Sequence, residues 1–208
     1  MICCDTDSVS TAMLKTPAIK LVGISGSVRK GSTNTGLLRA AKKNLPPNVT
    51  MEIVDLADIP IYNDDLWEGK SDDSALPESL RKFRAQVAAA DAVVIACPEY
   101  NFSVSSTLKT ALDWGSKNPN VFANKPGAIL GAGGTFATVQ AQNHLRQIGV
   151  FLGITFLNYP HLFAINRFAP PHNAHFDAAT GEVIHEDLHK KISGIIEALV
   201  AYTIKQKA

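Results

Sequence analysis

Short apolar runs alternate with amphipathic stretches over most of this chain. The runs are rich in β-branched and small apolar residues, as expected for strands buried on both faces, and they cover residues 19–25, 50–56, 92–97, 127–131 and 154–157. Apolar residues at helical spacing predict helices over residues 34–45, 77–90, 104–116, 138–152 and 186–204. This strict alternation, with no internal repeat, predicts an α/β fold whose parallel sheet is covered by helices on both faces.

Capping residues and prolines mark the ends of some of these elements. Asn34 can cap the first helix, and the pair Pro46–Pro47 ends it. The segment 57–76, rich in Asp, Pro and Gly, is long for a connection inside a compact domain. We therefore expect it to be functional or flexible.

The chain length predicts a single domain. With 208 residues, it is somewhat long for one average domain and short for two. Residues 1–17 are polar and lack the apolar core of a secretory signal, so we interpret them as a flexible N-terminal tail before a single domain at 18–208. An odd cysteine count, with Cys3 adjacent to Cys4, makes a poor disulfide framework and favours a reducing, cytoplasmic location.

Charge and hydropathy exclude two classes of partner. Lysine and arginine total 20 and the acidic residues 19, giving a formal charge of +1, so we expect no nucleic-acid partner. No apolar run approaches the ~20 residues of a membrane span, so we expect no membrane partner. Any bound phosphate must therefore be held by local groups.

The loop after the first strand has the chemistry of a phosphate site. It leads directly into a helix, whose N-terminal N–H groups attract anions. Arg29 adds a guanidinium, and further hydroxyl and amide groups come from Ser27, Ser32, Thr33 and Asn34. The alternative is that these side chains only cap the helix. The loop lacks the glycine pattern of dinucleotide sites and that of nucleotide-hydrolysing P-loops.

Two further loops follow strands that end at the same edge of the sheet. Residues 98–103 place Tyr100 among polar groups, which suits a flat heteroaromatic ring, although a rigid proline turn would look the same. Residues 131–135 contain three glycines and suit close backbone approach to a ligand, with a plain turn as the alternative.

Several reactive residue types have structural explanations. Trp114 lies at helical spacing with apolar neighbours and is interpreted as a core or interface residue, and Cys97 as a buried thiol. The pairs His172/His175 and His185/His189 have metal-compatible spacing, but no cysteine or carboxylate is arranged around them. We predict no metal site.

Taken together, the three loops resemble those of the NADPH-dependent FMN reductase family, and especially its FMN-dependent NAD(P)H:quinone and chromate reductases. The resemblance is carried by residues 26–34, GSVRKGSTN, and residues 98–104, PEYNFSV. Shorter matches at 108–109, 113–114, 144–147 and 180–184 keep the same order along the chain.

The resemblance implies a flavodoxin-like three-layer α/β/α sandwich with a five-stranded parallel sheet in the order 2-1-3-4-5. It implies FMN as cofactor, NADPH or NADH as co-substrate, a quinone-like acceptor, a ping-pong hydride mechanism, and a homodimer or homotetramer. The flavin carries the chemistry in this mechanism, so no acid or base catalyst is named. The implied FMN-binding residues are Ser27, Arg29, Ser32, Thr33, Asn34, Pro98, Glu99, Tyr100, Asn101, Gly131, Ala132, Gly133 and Gly134.

The chain departs from the family pattern at two places. The third loop has Ala132, Gly133 and Gly134 where family members often have Ser or Thr, so it offers little side-chain contact. Residues 105–107 read SST in place of a stretch like Pro-Gly-Gly, which alters the expected rim of the pocket.

Three other functions fit part of the pattern. A Rossmann-type NAD-binding oxidoreductase would use Asp55 as its ribose ligand, but the glycine fingerprint is missing. A non-enzymatic FMN electron shuttle is typically acidic, unlike this chain. A flavin-associated regulatory or interaction protein could use the same fold.

Overall fold

The computed structural model describes residues 17–67, 72–165 and 174–208. The predicted N-terminal tail lies outside the described residues, apart from Pro17.

Within the described residues, seven strands form two parallel sheets. They are β1 Ile19–Ser25, β2 Val49–Val54, β3 Ala92–Ala96, β4 Pro126–Leu130, β5 Ala132–Gly133, β6 Thr155–Phe156 and β7 Ala164–Ile165. Five of them make the main sheet, in the order β2-β1-β3-β4-β6, and β5 pairs with β7 separately. All neighbours in the main sheet are parallel. The predicted five-stranded sheet and its strand order are confirmed. The strand predicted as the fifth is labelled β6 here, because the short β5 precedes it in the chain.

In the part of the chain that the structure describes, five α-helices cover both faces of the main sheet, which makes the three-layer α/β/α sandwich. They are α1 Thr33–Lys43, α2 Glu78–Ala88, α3 Ser106–Ser116, α4 Val139–Leu152 and α5 Glu186–Lys207. One core contains Leu37 and Leu38 of α1 with Ile192 and Ile195 of α5. The opposite core contains buried residues of α2, α3 and α4, namely Leu80, Phe83, Leu108, Leu112, Trp114 and Leu145. Within the described part of the chain, no helix combines the length and the apolar character needed to cross a membrane.

Burial explains the hydrophobic patterns of the strands. Every residue of β3 and β4 is buried, in agreement with their continuous apolar runs, whereas β2 lies at the edge and alternates. Gly127 in β4 has no side chain, and a Cβ there would lie 2.7 Å from a ring carbon of Phe156. This close approach lets β6 pair beside it.

Helix ends differ from their predicted positions where a serine caps the helix. The cap of α1 is Ser32, whose Oγ accepts from the Thr35 N–H, so the prediction of Asn34 as the cap was wrong. Ser105 caps α3 in the same way, which starts that helix at Ser106 rather than at residue 104.

The long connection after β2 is anchored to the helices in the parts that are described. It contains two short 3₁₀ turns, Asp64–Leu66 and Asp73–Ala75. The Trp114 indole N–H donates to the Pro60 carbonyl oxygen (2.8 Å), and the fully buried Arg84 pairs with Asp73 (2.8 Å). Trp114 is fully buried, which confirms its interpretation as a core residue.

Candidate functional site

The first two loops meet around one cavity at the carboxyl edge of the main sheet. Its volume is about 510 Å³, and it lies between the loop after β1, the loop after β3 and the first turn of α3. The lining residues are Gly26, Ser27, Val28, Arg29, Tyr100, Asn101, Val104, Ser105, Ser106 and Thr107. Ligands of parallel α/β sheets bind at this edge, and the volume lies within the ~300–1,000 Å³ of small-molecule sites.

The first loop is fixed against β3 at its beginning. The Gly26 N–H donates to the Ala96 carbonyl oxygen (2.9 Å), and a Cβ on Gly26 would lie 2.6 Å from the Pro98 ring. Only glycine therefore allows the first and second loops to approach this closely. Beyond this point, Ser27 is half-buried and Arg29 is exposed, and both side chains line the cavity.

The end of the first loop forms the start of α1. Ser32 and Thr33 are buried, with exposed fractions of 1% and 3%. The Ser32 N–H donates to the Arg29 carbonyl oxygen (3.0 Å), which closes the loop into a turn beside the helix N-terminus. The positive end of the α1 dipole thus lies next to Arg29, an arrangement that favours an anion.

Asn34 connects the first loop to the third. Its amide nitrogen donates to the Ala132 carbonyl oxygen (2.8 Å), and its amide oxygen accepts from the Ala132 N–H (3.0 Å). The side chain is buried, and both ends of its amide are used in this pair. Asn34 therefore positions the loops, and a direct phosphate contact through its amide stays a prediction.

The second loop is a tight turn with two residues in the left-handed region. Tyr100 and Ser103 exchange both backbone hydrogen bonds at 3.0 Å, and φ is 50° at Asn101 and 62° at Phe102. Positive φ at both central residues defines a type I′ turn. Asn tolerates this conformation, whereas Phe rarely adopts it. The turn exposes Tyr100, Asn101 and Phe102 beside the cavity.

Glu99 holds the second loop against α4. Its carboxylate oxygen Oε2 accepts from the backbone N–H groups of Gln140 (2.9 Å) and Ala141 (3.0 Å) in the first turn of that helix. A carboxylate at a helix N-terminus is favoured by the dipole and by these charge-assisted bonds. Pro98 beside it is buried. These two predicted flavin contacts thus lie outside the cavity lining, and their contact with FMN stays a prediction.

The first turn of α3 completes the cavity. The Ser105 hydroxyl donates to the Gly26 carbonyl oxygen (2.6 Å) and accepts from the Leu108 N–H (3.2 Å). Ser106 and Thr107 follow it on the cavity wall. Residues 105–107 were expected only as an altered rim, and the predicted binding residues did not include them, Gly26, Val28 or Val104. The available signal was Ser105 itself, because a serine three residues before Leu108, the first apolar position of the helix, is typical of an N-cap.

The third loop lies beside this cavity without lining it. Gly131 and Gly133 are closely packed, since a Cβ on either would lie within 2 Å of another atom, Thr138 Oγ1 or the Ala137 carbonyl oxygen. Ala132 and Gly133 form β5 and pair with β7. Gly134 is exposed, with open space around its Cα. Backbone contact between this loop and a ligand stays a prediction.

A smaller cavity of about 280 Å³ lies on the other side of the first loop. It shares Ser27 and Arg29 with the larger cavity and reaches Asp55 after β2. The Asp55 carboxylate accepts from the Ala57 N–H (2.9 Å), the usual local bond of an aspartate in a turn.

Titratable groups near the loops are suited to structural roles. Burial, with a smaller contribution from Glu99, raises the pKa of Cys97 to about 12, so the thiol is protonated at neutral pH. This agrees with a buried, unreactive cysteine. His175 lies against His185, and burial is the main cause of its lowered pKa. His172 lies outside the described residues, and the described ones contain no cluster of three or more His, Cys, Asp or Glu that could hold a metal ion.

Comparisons with known proteins identify the family of this architecture. Residues 19–168 match the model of the family described as NADPH-dependent FMN reductase. The chain is 42% identical to an NADPH:quinone oxidoreductase of Arabidopsis thaliana, covering 91% of this chain and 94% of that protein. It is 41% identical to an NAD(P)H-dependent FMN reductase of Pseudomonas aeruginosa, covering 87% and 93%.

A solved structure agrees in fold over almost the same length. The flavoenzyme NAD(P)H:acceptor oxidoreductase of Paracoccus denitrificans superposes with a TM-score of 0.74 at 27% identity, covering 90% of this chain and 98% of that one. The likeness thus spans the whole sandwich rather than the loop motifs alone.

Proposed function

Because the chain belongs to the NADPH-dependent FMN reductase family, we propose that it is an FMN-dependent oxidoreductase that passes electrons from NAD(P)H to quinones or related acceptors. This assignment decides against the Rossmann-type alternative. The observation that carries the proposal is a cavity lined by both the Arg29 loop and the Tyr100 loop.

The residues around this cavity fit FMN in chemistry and in size. Arg29, Ser27 and the start of α1 offer a cation, a hydroxyl and a helix N-terminus, which together suit a phosphate dianion. Tyr100 and Asn101 offer an aromatic surface and an amide for a flat ring with polar edges. A Cβ on Gly26 would bring the two loops into collision, so the space between them depends on that glycine.

The protein's own task is to bind and orient, since FMN, when bound, supplies the hydride and electron chemistry. We propose that Ser27, Arg29, Ser32 and Thr33 hold the phosphate end, with Asn34 aligning the third loop. Pro98, Glu99, Tyr100 and Asn101 would shape the ring site, and the N–H groups of 131–134 would approach the pyrimidine edge, where backbone donors stabilise negative charge. We also propose that both substrates use the same open cavity, in a ping-pong order in which the oxidised nicotinamide leaves before the quinone enters.

Removal of the Arg29 guanidinium tests this proposal. A charge-assisted hydrogen bond contributes about 1.5–3 kcal/mol, so Arg29→Ala should raise the Kd for FMN about 10- to 100-fold. Titration of the apoprotein by quenching of FMN fluorescence measures this Kd, and NADPH-dependent quinone reduction at limiting FMN should fall in parallel. Lys30→Ala removes an equal charge one residue along and is the control. Equal, small effects of the two variants would contradict the assigned role of Arg29.

The same preparation separates a reductase from an electron shuttle or a regulatory protein. We expect the purified protein to be yellow, to be bleached by NADPH under anaerobic conditions, and to regain its colour when a quinone is added. A flavin that NADPH fails to bleach would contradict the enzymatic proposal.

We further propose that residues 18–208 form one FMN-binding domain and that it assembles as a homodimer or homotetramer. Two large apolar side chains of α4, Val150 and Phe151, are each 83% exposed, which is unusual for neighbouring residues on a monomer surface. A cytoplasmic location stays a prediction.

A further inference from the structure

Two aromatic side chains face each other across the second and third loops beside the cavity. Phe102 belongs to the turn after β3, and Phe136 follows the glycines after β4. Their ring centroids are 6.0 Å apart with 48° between the planes, and the exposed fractions are 58% and 65%. Aromatic rings gain stability by burial, so a ring pair that stays largely exposed leaves apolar surface available to a ligand.

The backbone at Phe102 has the positive φ that the turn requires but that phenylalanine rarely adopts. Its φ of 62° is rare for a bulky side chain, and the turn would be satisfied by Asn or Gly. Such strained residues persist where the surrounding structure fixes them, and they are concentrated at ligand sites. The paired hydrogen bonds between Tyr100 and Ser103 fix the turn, and the Phe102 ring at its tip lies against that of Phe136.

Neighbouring contacts hold both loops in place. The Glu99 carboxylate binds the first turn of α4 just beyond Phe136, and the His144 ring on the same helix is within 3.0 Å of the Ser103 hydroxyl. The two rings therefore stand on loops that are joined to each other through α4. Tyr100 and Asn101, which precede Phe102 directly, line the cavity.

We infer that Phe102 and Phe136 form an aromatic clasp that selects flat two-ring quinones over single-ring quinones. This inference rests on the proposed function, because it concerns the acceptor of that same cavity. A benzoquinone has a single ring, which stacks on one partner inside the cavity and does not reach the clasp. The second ring of a naphthoquinone extends past it and gains contact with the clasp.

The test is a ratio of two specificity constants for one enzyme preparation. The kcat/KM for 2-methyl-1,4-naphthoquinone divided by that for 1,4-benzoquinone should fall about tenfold in Phe136→Ala and in Phe102→Asn, since one aromatic contact is lost. Asn tolerates positive φ, so Phe102→Asn removes the ring without adding backbone strain. Phe136→Leu keeps apolar bulk without a ring face. On a logarithmic scale, it should restore less than half of the fall in the specificity ratio that Phe136→Ala causes.

Tyr159→Ala is the matched control. Tyr159 is 80% exposed and pairs with the His161 ring at 5.9 Å, but it follows β6 at the far edge of the sheet. This variant should leave the ratio within about twofold of the unsubstituted enzyme, as expected for a surface change.

Three outcomes decide the inference. A tenfold fall in both clasp variants, with unchanged FMN affinity and NADPH bleaching, supports it. Bleaching with an unchanged ratio, or loss of the native oligomer in light scattering on removal of either ring, overturns the clasp while the proposed function stands. A protein that NADPH does not bleach overturns the proposed function, and the clasp with it.

Discussion

At the scale of single residues, Asn34 shows how one buried amide can join two distant loops. Its side chain satisfies both the N–H and the carbonyl oxygen of Ala132, 98 positions along the chain. Burial makes this pair important, because a buried polar group without a partner is destabilising by about 1–3 kcal/mol. Asn34 thus fixes the position of the third loop relative to the first.

We expect Asn34→Ala to lower the free energy of unfolding by about 2–4 kcal/mol, since it leaves both backbone groups of Ala132 unpaired. Urea denaturation of the apoprotein followed by circular dichroism measures this change. Asn44→Ala, which removes partly exposed hydrogen bonds at the other end of α1, should change it by less than about 1 kcal/mol. Similar values for the two variants would show that the buried pair contributes little.

The buried thiol of Cys97 predicts a loss of stability in alkali. Its pKa is raised from 9.0 to about 12, so the unfolded chain releases the proton first as the pH rises. The stabilisation is fully present below pH 9 and is lost progressively between pH 9 and 12. The difference in unfolding free energy between the unsubstituted protein and Cys97→Ala should therefore shrink from pH 8 to pH 10.5. A difference that stays constant over this range would contradict the raised pKa.

Part of the cavity lining was predictable from residue types, whereas other parts of the candidate site depend on long-range contacts. Ser27, Arg29, Tyr100 and Asn101 were predictable because a cation, a hydroxyl and an aromatic follow strands that end at one edge. The partners of Asn34 and Glu99 are backbone groups far along the chain, which leave no signal in local spacing. The pairing of Phe102 with Phe136 likewise depends on how two loops meet.

At the scale of elements, Arg84 joins the connection after β2 to two helices. Its guanidinium is fully buried and donates to the carboxylate of Asp73 and to the carbonyl oxygens of Trp114 (2.6 Å) and Pro119 (3.1 Å). A buried cation with this many acceptors orders the segments that supply them.

Arg84→Met should lower the free energy of unfolding by about 3 kcal/mol, because the buried acceptors lose their donor. Chemical denaturation gives this value, and limited proteolysis should show faster cleavage between residues 57 and 76. Arg81→Met is the control, since Arg81 is half-exposed on the same helix and forms a surface ion pair with Glu78 that contributes under about 1 kcal/mol. Equal cleavage rates in both variants would argue against the anchoring role.

The order of elements was predictable because each strand is a short apolar run and each helix has one apolar face. The two-residue strands β5 and β7 were not, since they are defined by backbone pairing between residues more than 30 positions apart and have no pattern of their own. The ends of α1 and α3 shifted by one or two residues because Ser32 and Ser105 compete with neighbouring polar residues as caps.

At the scale of the whole molecule, the outer face of α4 predicts self-association. We expect the native protein to be a dimer or tetramer by light scattering, and the double variant Val150→Asp/Phe151→Asp to be smaller, because charge cannot be buried there. Ile61→Asp changes a side chain that is equally exposed, at 84%, and should leave the native mass unchanged. A native monomer would contradict this prediction.

Residues 176–183 form a short hairpin closed by an antiparallel bridge between Phe176 and Val183, and this hairpin packs against α1. A Cβ on Gly36 would lie 1.8 Å from the Gly181 carbonyl oxygen, and Arg39 bonds to both Glu182 and Thr180. Gly36 follows closely after the first loop, and Gly181 is synthesised 145 residues later. A nascent chain therefore completes this support only after residue 182 has been made, and the start of α1 reaches its final packing long after the first loop has been synthesised.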